Sequence, residues 1–189
     1  MQRFRSNFPS LALTTVLTLS GILSPHIAAQ TTTQGVSMAA TDQASTIHRF
    51  YEQCLNQNRP ELIPELFAPN VVLHSTTGDA TGLPAIRQTV DRVRAMFPDH
   101  HFVVEDVITN GDKAAARWSM TATNTAPIAG IPPTGRPITQ NAIVFYRFED
   151  GKITEFWLQM DQLGVLRQIG VKIPGVQLPA TQPPTHPVQ

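Results

Sequence analysis

The sequence predicts a single α+β domain, with helices in the first half and an antiparallel meander in the second. Three observations lead there. Between Ile47 and Phe97 apolar residues recur at helical spacing. From Phe102 onward they alternate with polar residues in segments separated by Gly-containing turns. The last three of these segments also agree in numbering parity, so their apolar side chains share one sheet face.

Thr41-Asp42 can cap the first helix, and Ile47, Phe50, Tyr51, Cys54 and Leu55 form its buried stripe. A short second helix is expected from Pro60 to Phe67. Asn70 to Ser75 reads as a strand, with Val71-Val72-Leu73 ahead of His74. Gly82-Leu83-Pro84 opens another helix, striped by Ile86, Val90, Val93 and Phe97 and ended by Pro98. Strands follow over Phe102 to Thr109, Lys113 to Thr123, Ile138 to Phe148 and Ile153 to Met160. Asn110-Gly111-Asp112 and Asp150-Gly151 supply tight turns, where glycine accepts positive φ. A long loop from Asn124 to Pro137 holds Gly130, Pro132, Pro133 and Gly135. Asp161 caps a closing helix that stops at Gly170.

The even positions Trp118, Met120, Ala122, Ala142, Val144, Tyr146, Phe148, Phe156, Leu158 and Met160 are apolar or aromatic. The odd positions, among them Arg117, Ser119, Thr121, Asn141, Arg147, Glu155 and Gln159, are mostly polar. One face is therefore a concavity for the helices to cover, and the other meets water or a second subunit. Trp118, Met120, Val144, Phe156, Leu158 and Met160 are the expected walls of a ligand pocket, or plain core. Ile143, Phe145 and Trp157 interrupt the polar face, which suggests a homodimer interface there.

The 189 residues balance 14 basic against 14 acidic side chains, so no basic excess points to nucleic acid. No Asp or Glu precedes Asp42. Arg3 and Arg5 lead into an apolar run from Leu11 to Leu23, and small residues follow at Ala28-Ala29 and Ser37-Met38-Ala39. That order is a secretory signal peptide within residues 1–39, cleaved near 29 or 39, and implies export to the periplasm or the medium. The domain proper is expected over residues 41–173. Residues 174–189 hold five prolines and no Asp, Glu, Lys or Arg, the composition of an extended tail. Cys54 is the single cysteine, so no internal disulfide forms, and its place on the helical stripe makes it a packing residue.

Several pieces of the chain, in this order, carry a resemblance. They are Leu66-Phe67-Ala68-Pro69 to His74; Phe97-Pro98-Asp99; Glu105-Asp106-Val107 with Gly111-Asp112 and Arg117-Trp118; and Gly130-Ile131-Pro132-Pro133-Thr134-Gly135-Arg136. Arg147 to Ile153 and Leu163 to Gly170 complete the set. Together they resemble the SnoaL-like polyketide cyclase (ester cyclase) family of the nuclear transport factor 2-like superfamily. The resemblance implies a cone-shaped, bent antiparallel sheet capped by N-terminal helices, a cystatin-like α+β barrel, often dimeric, around an apolar small-molecule pocket. It also implies ring closure by an intramolecular aldol reaction, without metal or cofactor. In that chemistry an aspartate on the last strand acts as acid/base, assisted by a histidine on the strand before it. Laid on the Asp150–Ile153 turn, those two positions fall on Leu158 and Val144, which cannot move a proton. A histidine often seen in the loop falls on Asn124.

The polar groups left for chemistry are His74, Asn124 and Tyr146. His74 ends an apolar strand and reads either as a proton carrier or substrate anchor, or as a histidine satisfied at a strand end. Asn124 and Tyr146 have the parity of the cavity face and can each donate to a ligand carbonyl or close a buried network. Asp161 is better explained as a helix cap than as a replacement acid. His100 and His101 are adjacent, and neighbours on a strand point to opposite faces, so no metal site is expected of them. No carboxylate stands on the even face, which disfavours chemistry of the ketosteroid isomerase type. Two functions stay open. One is a cofactor-independent cyclase, isomerase or hydrolase acting on a polyketide-like or other apolar carbonyl compound. The other is a non-catalytic binder or carrier of an apolar metabolite.

Overall fold

The computed structural model describes residues 42–172. The expected signal segment and the expected extended tail lie outside the described residues.

A first helix over 42–49 runs on in π geometry through Phe50–Asn56, and the two together are α1. The wider π turn brings Phe50, Tyr51, Cys54 and Leu55 onto one buried side. A 3₁₀ turn at Pro60–Leu62 leads into α2, Ile63–Leu66. The strand β1, Phe67–Ser75, is followed by a short β2, Gly78–Thr81, and by α3, Leu83–Met96. Four strands then run in sequence: β3 His101–Asn110, β4 Lys113–Thr123, β5 Pro137–Glu149 and β6 Lys152–Met160. The short α4, Gln162–Gln168, closes the described fold.

The α+β class stands, and the sheet is bent and unclosed, but it is mixed rather than wholly antiparallel. Its order is β2-β1-β6-β5-β4-β3. The one parallel pairing joins β1 to β6, with Leu73 beside Phe156 and His74 beside Trp157. No local pattern announces that pairing, because its partners lie some eighty residues apart and no hairpin links them.

The meander follows the alternation closely. In β4 the even residues Ala114, Ala116, Trp118, Met120 and Ala122 are buried. Asp150 (φ 48°) and Gly151 (φ 75°) form the turn between β5 and β6, where two successive positive φ values match the twist of the hairpin. Three irregularities interrupt the register of the sheet. One lies between Phe67 and Val72 where β1 meets β6, one between Val104 and Asp106 in β3, and one in β6, where Glu155 pairs with Arg147 but Ile153 with Phe148. Such a bulge shifts which residues face inward. Ile153 is therefore fully buried although the inward positions further along β6 are even-numbered.

The helices cover the concave face. Phe50 packs edge-on against Phe67 with ring centroids 5.0 Å apart, and Phe102 meets Trp118 at 5.1 Å. Asp161 caps α4, its Oδ1 accepting from Gly164 N at 2.7 Å. A Cβ on Gly164 would sit 2.1 Å from the Asp161 carboxylate, so glycine there is a condition of the cap. Gln168 anchors α4 to the sheet by bonding both backbone groups of Thr139, accepting at 2.7 Å and donating at 2.8 Å.

Candidate functional site

A cavity of about 90 Å³ lies between α1, α3 and the concave face of β4, β5 and β6. Trp118, Met120, Val144, Phe156, Leu158 and Met160 all line it. Exposure rises toward Thr89, Val93, Gln140, Leu158 and Met160, which marks its open end. The inner end is closed by Tyr51, Phe102 and Trp118, each no more than 5% exposed. The volume is below the several hundred Å³ usual for a drug-sized ligand. Met120 and Met160, with their unbranched thioethers, are the wall residues best suited to repack around a guest.

Polar groups are scarce in this lining. Gln140, Thr89, Tyr51 and Trp118 are the lining residues that carry a side-chain hydrogen-bonding group, the Trp118 nitrogen itself being buried, and no Asp, Glu, His, Lys, Arg or Cys borders the cavity. Gln140 and Thr89 were missed by the sequence reading. The first shares the even parity of β5, and the second falls one residue before Val90 on the α3 stripe, so the same two periodicities reach both.

Tyr146 is 1% exposed, and its hydroxyl lies 2.8 Å from that of Tyr51. This pair joins the central strand β5 to the π turn of α1, a rare helical form often found at functional sites. Burial is the main influence on both phenols and holds their pKa well above the ordinary tyrosine value. Both therefore stay protonated near neutral pH and act as donors. The Trp118 Nε1–H sits beside the Tyr51 oxygen and favours its charged form, yet completes no hydrogen bond.

Asn124 is fully buried but does not border the cavity. Its Oδ1 accepts from Thr134 N and Thr134 Oγ1, both at 2.9 Å, and its Nδ2 donates to Ala126 O at 2.7 Å. Its backbone is held as well, by Arg136 O and Gly135 N. The side chain is committed to folding the Gly130–Gly135 loop back on the end of β4. Of the two roles open to Asn124, these bonds fit the buried network rather than donation to a ligand carbonyl.

Of the two readings of His74, the geometry fits the histidine satisfied at a strand end. Val71 and Leu73 point into the core, and Leu73 lines the cavity. Alternation then sends His74 to the outer sheet face, where it stacks on Trp157 with centroids 5.2 Å apart. Its Nε2 meets Glu155 Oε1 at 3.0 Å and its Nδ1 meets Asp79 Oδ1 at 2.9 Å. Arg147 binds the other oxygen of Glu155 at 2.5 Å and lies over the Trp157 ring. His74 thus clasps β2 to β6 across β1 and has no access to the cavity.

The carboxylates of Glu155 first, and Asp79 second, raise the His74 pKa above its ordinary value. A histidine whose folded pKa is raised adds stability that is complete below the unfolded value. That stability is lost as pH rises through the folded value. The imidazole resonances of His74 are expected to titrate above the usual midpoint in NMR spectra. Glu155→Gln should lower that midpoint more than Asp79→Asn does. An unshifted midpoint in the parent protein would dissolve the clasp.

Three other residues with reactive side chains are accounted for by structure. His100 lies between Phe97 O (2.6 Å) and Leu55 O (3.3 Å), while His101 is exposed. Cys54 is fully buried, and burial, with the Glu61 charge adding to it, pushes its thiol up to about 11. A thiol in that state is not a nucleophile near neutral pH. Among the described residues no group of three or more His, Cys, Asp or Glu is placed to hold a metal ion.

The comparisons with known proteins agree with this architecture. The family model for SnoaL-like polyketide cyclase matches residues 45–169. No curated protein is significantly similar to the chain. Among solved structures, IdmH of Streptomyces antibioticus, provisionally assigned as a polyketide cyclase, is 33% identical. The match covers 68% of this chain and 99% of IdmH, with a TM-score of 0.61. A protein of Acidithiobacillus ferrooxidans with the same provisional assignment is 26% identical, covering 68% of this chain and 94% of its own at a TM-score of 0.62. AclR of Streptomyces galilaeus, provisionally assigned as a hydroxylase, is 22% identical over 73% of this chain and 90% of its own, with a TM-score of 0.63, and shows the shared fold alone. With the family model spanning nearly all the described residues, the chain belongs to the SnoaL-like polyketide cyclase family.

Proposed function

We propose that this protein is an exported binder of an apolar carbonyl compound, held in the cavity between α1, α3 and the sheet. The observation that carries the reading is the lining itself. It is aliphatic and aromatic, it has a few hydrogen-bonding groups, and it has no side chain able to exchange a proton near neutral pH. Val144 and Leu158 stand where the family resemblance puts a histidine and an aspartate. Aliphatic groups there add apolar contact for a guest instead of proton transfer. Export rests on the order of basic, apolar and small residues before Asp42. A homodimer through the outer sheet face rests on Ile143 and Phe145, which are 53% and 56% exposed on β5.

A second reading is a cofactor-independent cyclase, isomerase or hydrolase whose catalysis comes from holding the substrate folded and polarising its carbonyl. The buried phenol pair favours it, since donors of that kind can stabilise charge developing on oxygen.

Native mass spectrometry of the mature protein from its own host tests the first reading. The expected spectrum is a dimer carrying a defined extra mass that denaturation releases as an apolar carbonyl compound. A protein that is empty, and stays empty after incubation with a panel of apolar ketones and esters, overturns the binder. A compound recovered chemically altered after incubation selects the second reading.

A further inference from the structure

Beside the inner end of the cavity lies one more hydrogen-bond donor than the described residues satisfy. Three donor protons meet there, from the hydroxyls of Tyr51 and Tyr146 and from the Trp118 indole. Among the described residues, the one hydrogen bond these groups make is between the two phenolic oxygens. One hydroxyl donates to the other across 2.8 Å. The indole can at best complete a bond to the Tyr51 oxygen, which it flanks without reaching hydrogen-bond geometry. Even then one phenolic proton has no protein acceptor among the described residues. Neither hydroxyl bonds any other group there.

Leaving a buried donor unpaired costs about 1–3 kcal/mol, so such a proton calls for a partner. Tyr51 borders the cavity and Tyr146 does not. When Tyr146 donates to Tyr51, the Tyr51 proton is free to point into the cavity. A water molecule beside it would find this donor and little else, because Phe50, Leu55, Val90, Phe102 and Val144 supply no polar side-chain atom. A group with an acceptor oxygen on an apolar body satisfies both the donor and the walls.

We propose that the Tyr146–Tyr51 hydroxyl relay, flanked by the Trp118 indole, is an oxygen-anchoring subsite that binds a neutral ketone or ester carbonyl at the inner end of the cavity. The proposal rests on the cavity being a small-molecule site and adds the orientation of the guest, oxygen inward and apolar body toward Leu158 and Met160. It also sets the charge class. No Lys, Arg or His borders the cavity, so a carboxylate would be buried without a counter-charge, which is costly. A neutral carbonyl carries no such penalty.

The test uses the full chain with three probes of similar shape: acetophenone labelled with 13C at the carbonyl, ethylbenzene and benzoate. The carbonyl resonance of bound acetophenone is expected downfield of its position in an apolar solvent, as hydrogen bonding requires. Tyr51→Phe should remove that displacement and weaken acetophenone about tenfold, in keeping with the loss of one hydrogen bond. The same variant should leave ethylbenzene within twofold. Tyr146→Phe keeps the Tyr51 proton and should cost acetophenone less than threefold. Benzoate should bind at least tenfold more weakly than acetophenone.

A bound carbonyl with no downfield displacement in the parent protein overturns the anchor, and needs no variant to fold. Equal losses for acetophenone and ethylbenzene in Tyr51→Phe, or benzoate as the tightest probe, overturn it too. In each of those cases ethylbenzene still binds and the cavity survives as an apolar site. If none of the three binds, the small-molecule reading fails with it.

Discussion

Replacing Asn124 with alanine is expected to lower the stability of the domain by about 2–4 kcal/mol, which displaces its thermal midpoint by roughly 10 °C. The side chain is fully buried and makes three hydrogen bonds, two to Thr134 and one to Ala126 O. Truncation leaves the Thr134 amide, its hydroxyl and the Ala126 carbonyl without their partner. Thr134→Val removes one of those groups together with its bond, so it should cost only about 1 kcal/mol. Asn124→Asp separates the donor from the acceptor function. Its ionised form keeps the Thr134 contacts but sets a carboxylate against the Ala126 carbonyl. Burial and that carbonyl both raise the pKa, so the deficit is present above the folded value and recedes as pH falls through it. Thermal melts of the three variants across acidic and neutral pH measure all of this. A change of less than 1 kcal/mol in Asn124→Ala would show that the loop does not depend on the residue.

The contrast between Asn124 and the pocket residues shows what a sequence pattern can reach. Trp118, Met120, Val144, Phe156, Leu158 and Met160 were legible as one surface. They lie on long strands whose register is pinned by glycine turns at Gly111 and Gly151, and parity then decides the face. Parity also placed Asn124 on the inner side, correctly as to burial. It carried no sign that Thr134, ten residues on, folds back to occupy the side chain. His74 was legible with two readings open, and the alternation of Val71 and Leu73 along β1 is the signal that turns it outward. Both strand pairings outside the meander were invisible locally. The β2 segment, Gly78–Thr81, has no apolar alternation, and β1 reaches β6 only through tertiary packing. Tyr51 was visible as one member of a helical stripe. Its value came from a partner ninety-five residues away and from a π turn that spacing alone does not distinguish from an α-helix.

The second large effect concerns Val144 and Leu158, which are direct partners across β5 and β6. Side chains at such a pair lie about 5 Å apart at Cβ, close enough for an imidazole and a carboxylate to meet. Val144→His alone is expected to cost about 3 kcal/mol. Its ring enters a 1%-exposed position with no acceptor, and burial depresses its pKa. A histidine of depressed pKa loses further stability as pH falls below the unfolded value. Leu158→Asp alone should cost about 2 kcal/mol near neutral pH, less because the position is half-buried. The apolar wall raises its pKa, so it regains stability as pH falls through the folded value. The two single variants therefore slope in opposite directions on acidification. In the double variant the imidazole donates to the carboxylate, and a coupling of about 1–3 kcal/mol should make the pair less damaging than its parts. Denaturant unfolding of the four proteins across pH gives that coupling directly. A value near zero would mean that the two side chains do not meet, and the cavity would lose its claim to the geometry of an acid/base pair. A coupled pair that also transforms a bound carbonyl compound, where the parent only holds it, would locate the difference between binder and cyclase in these two positions.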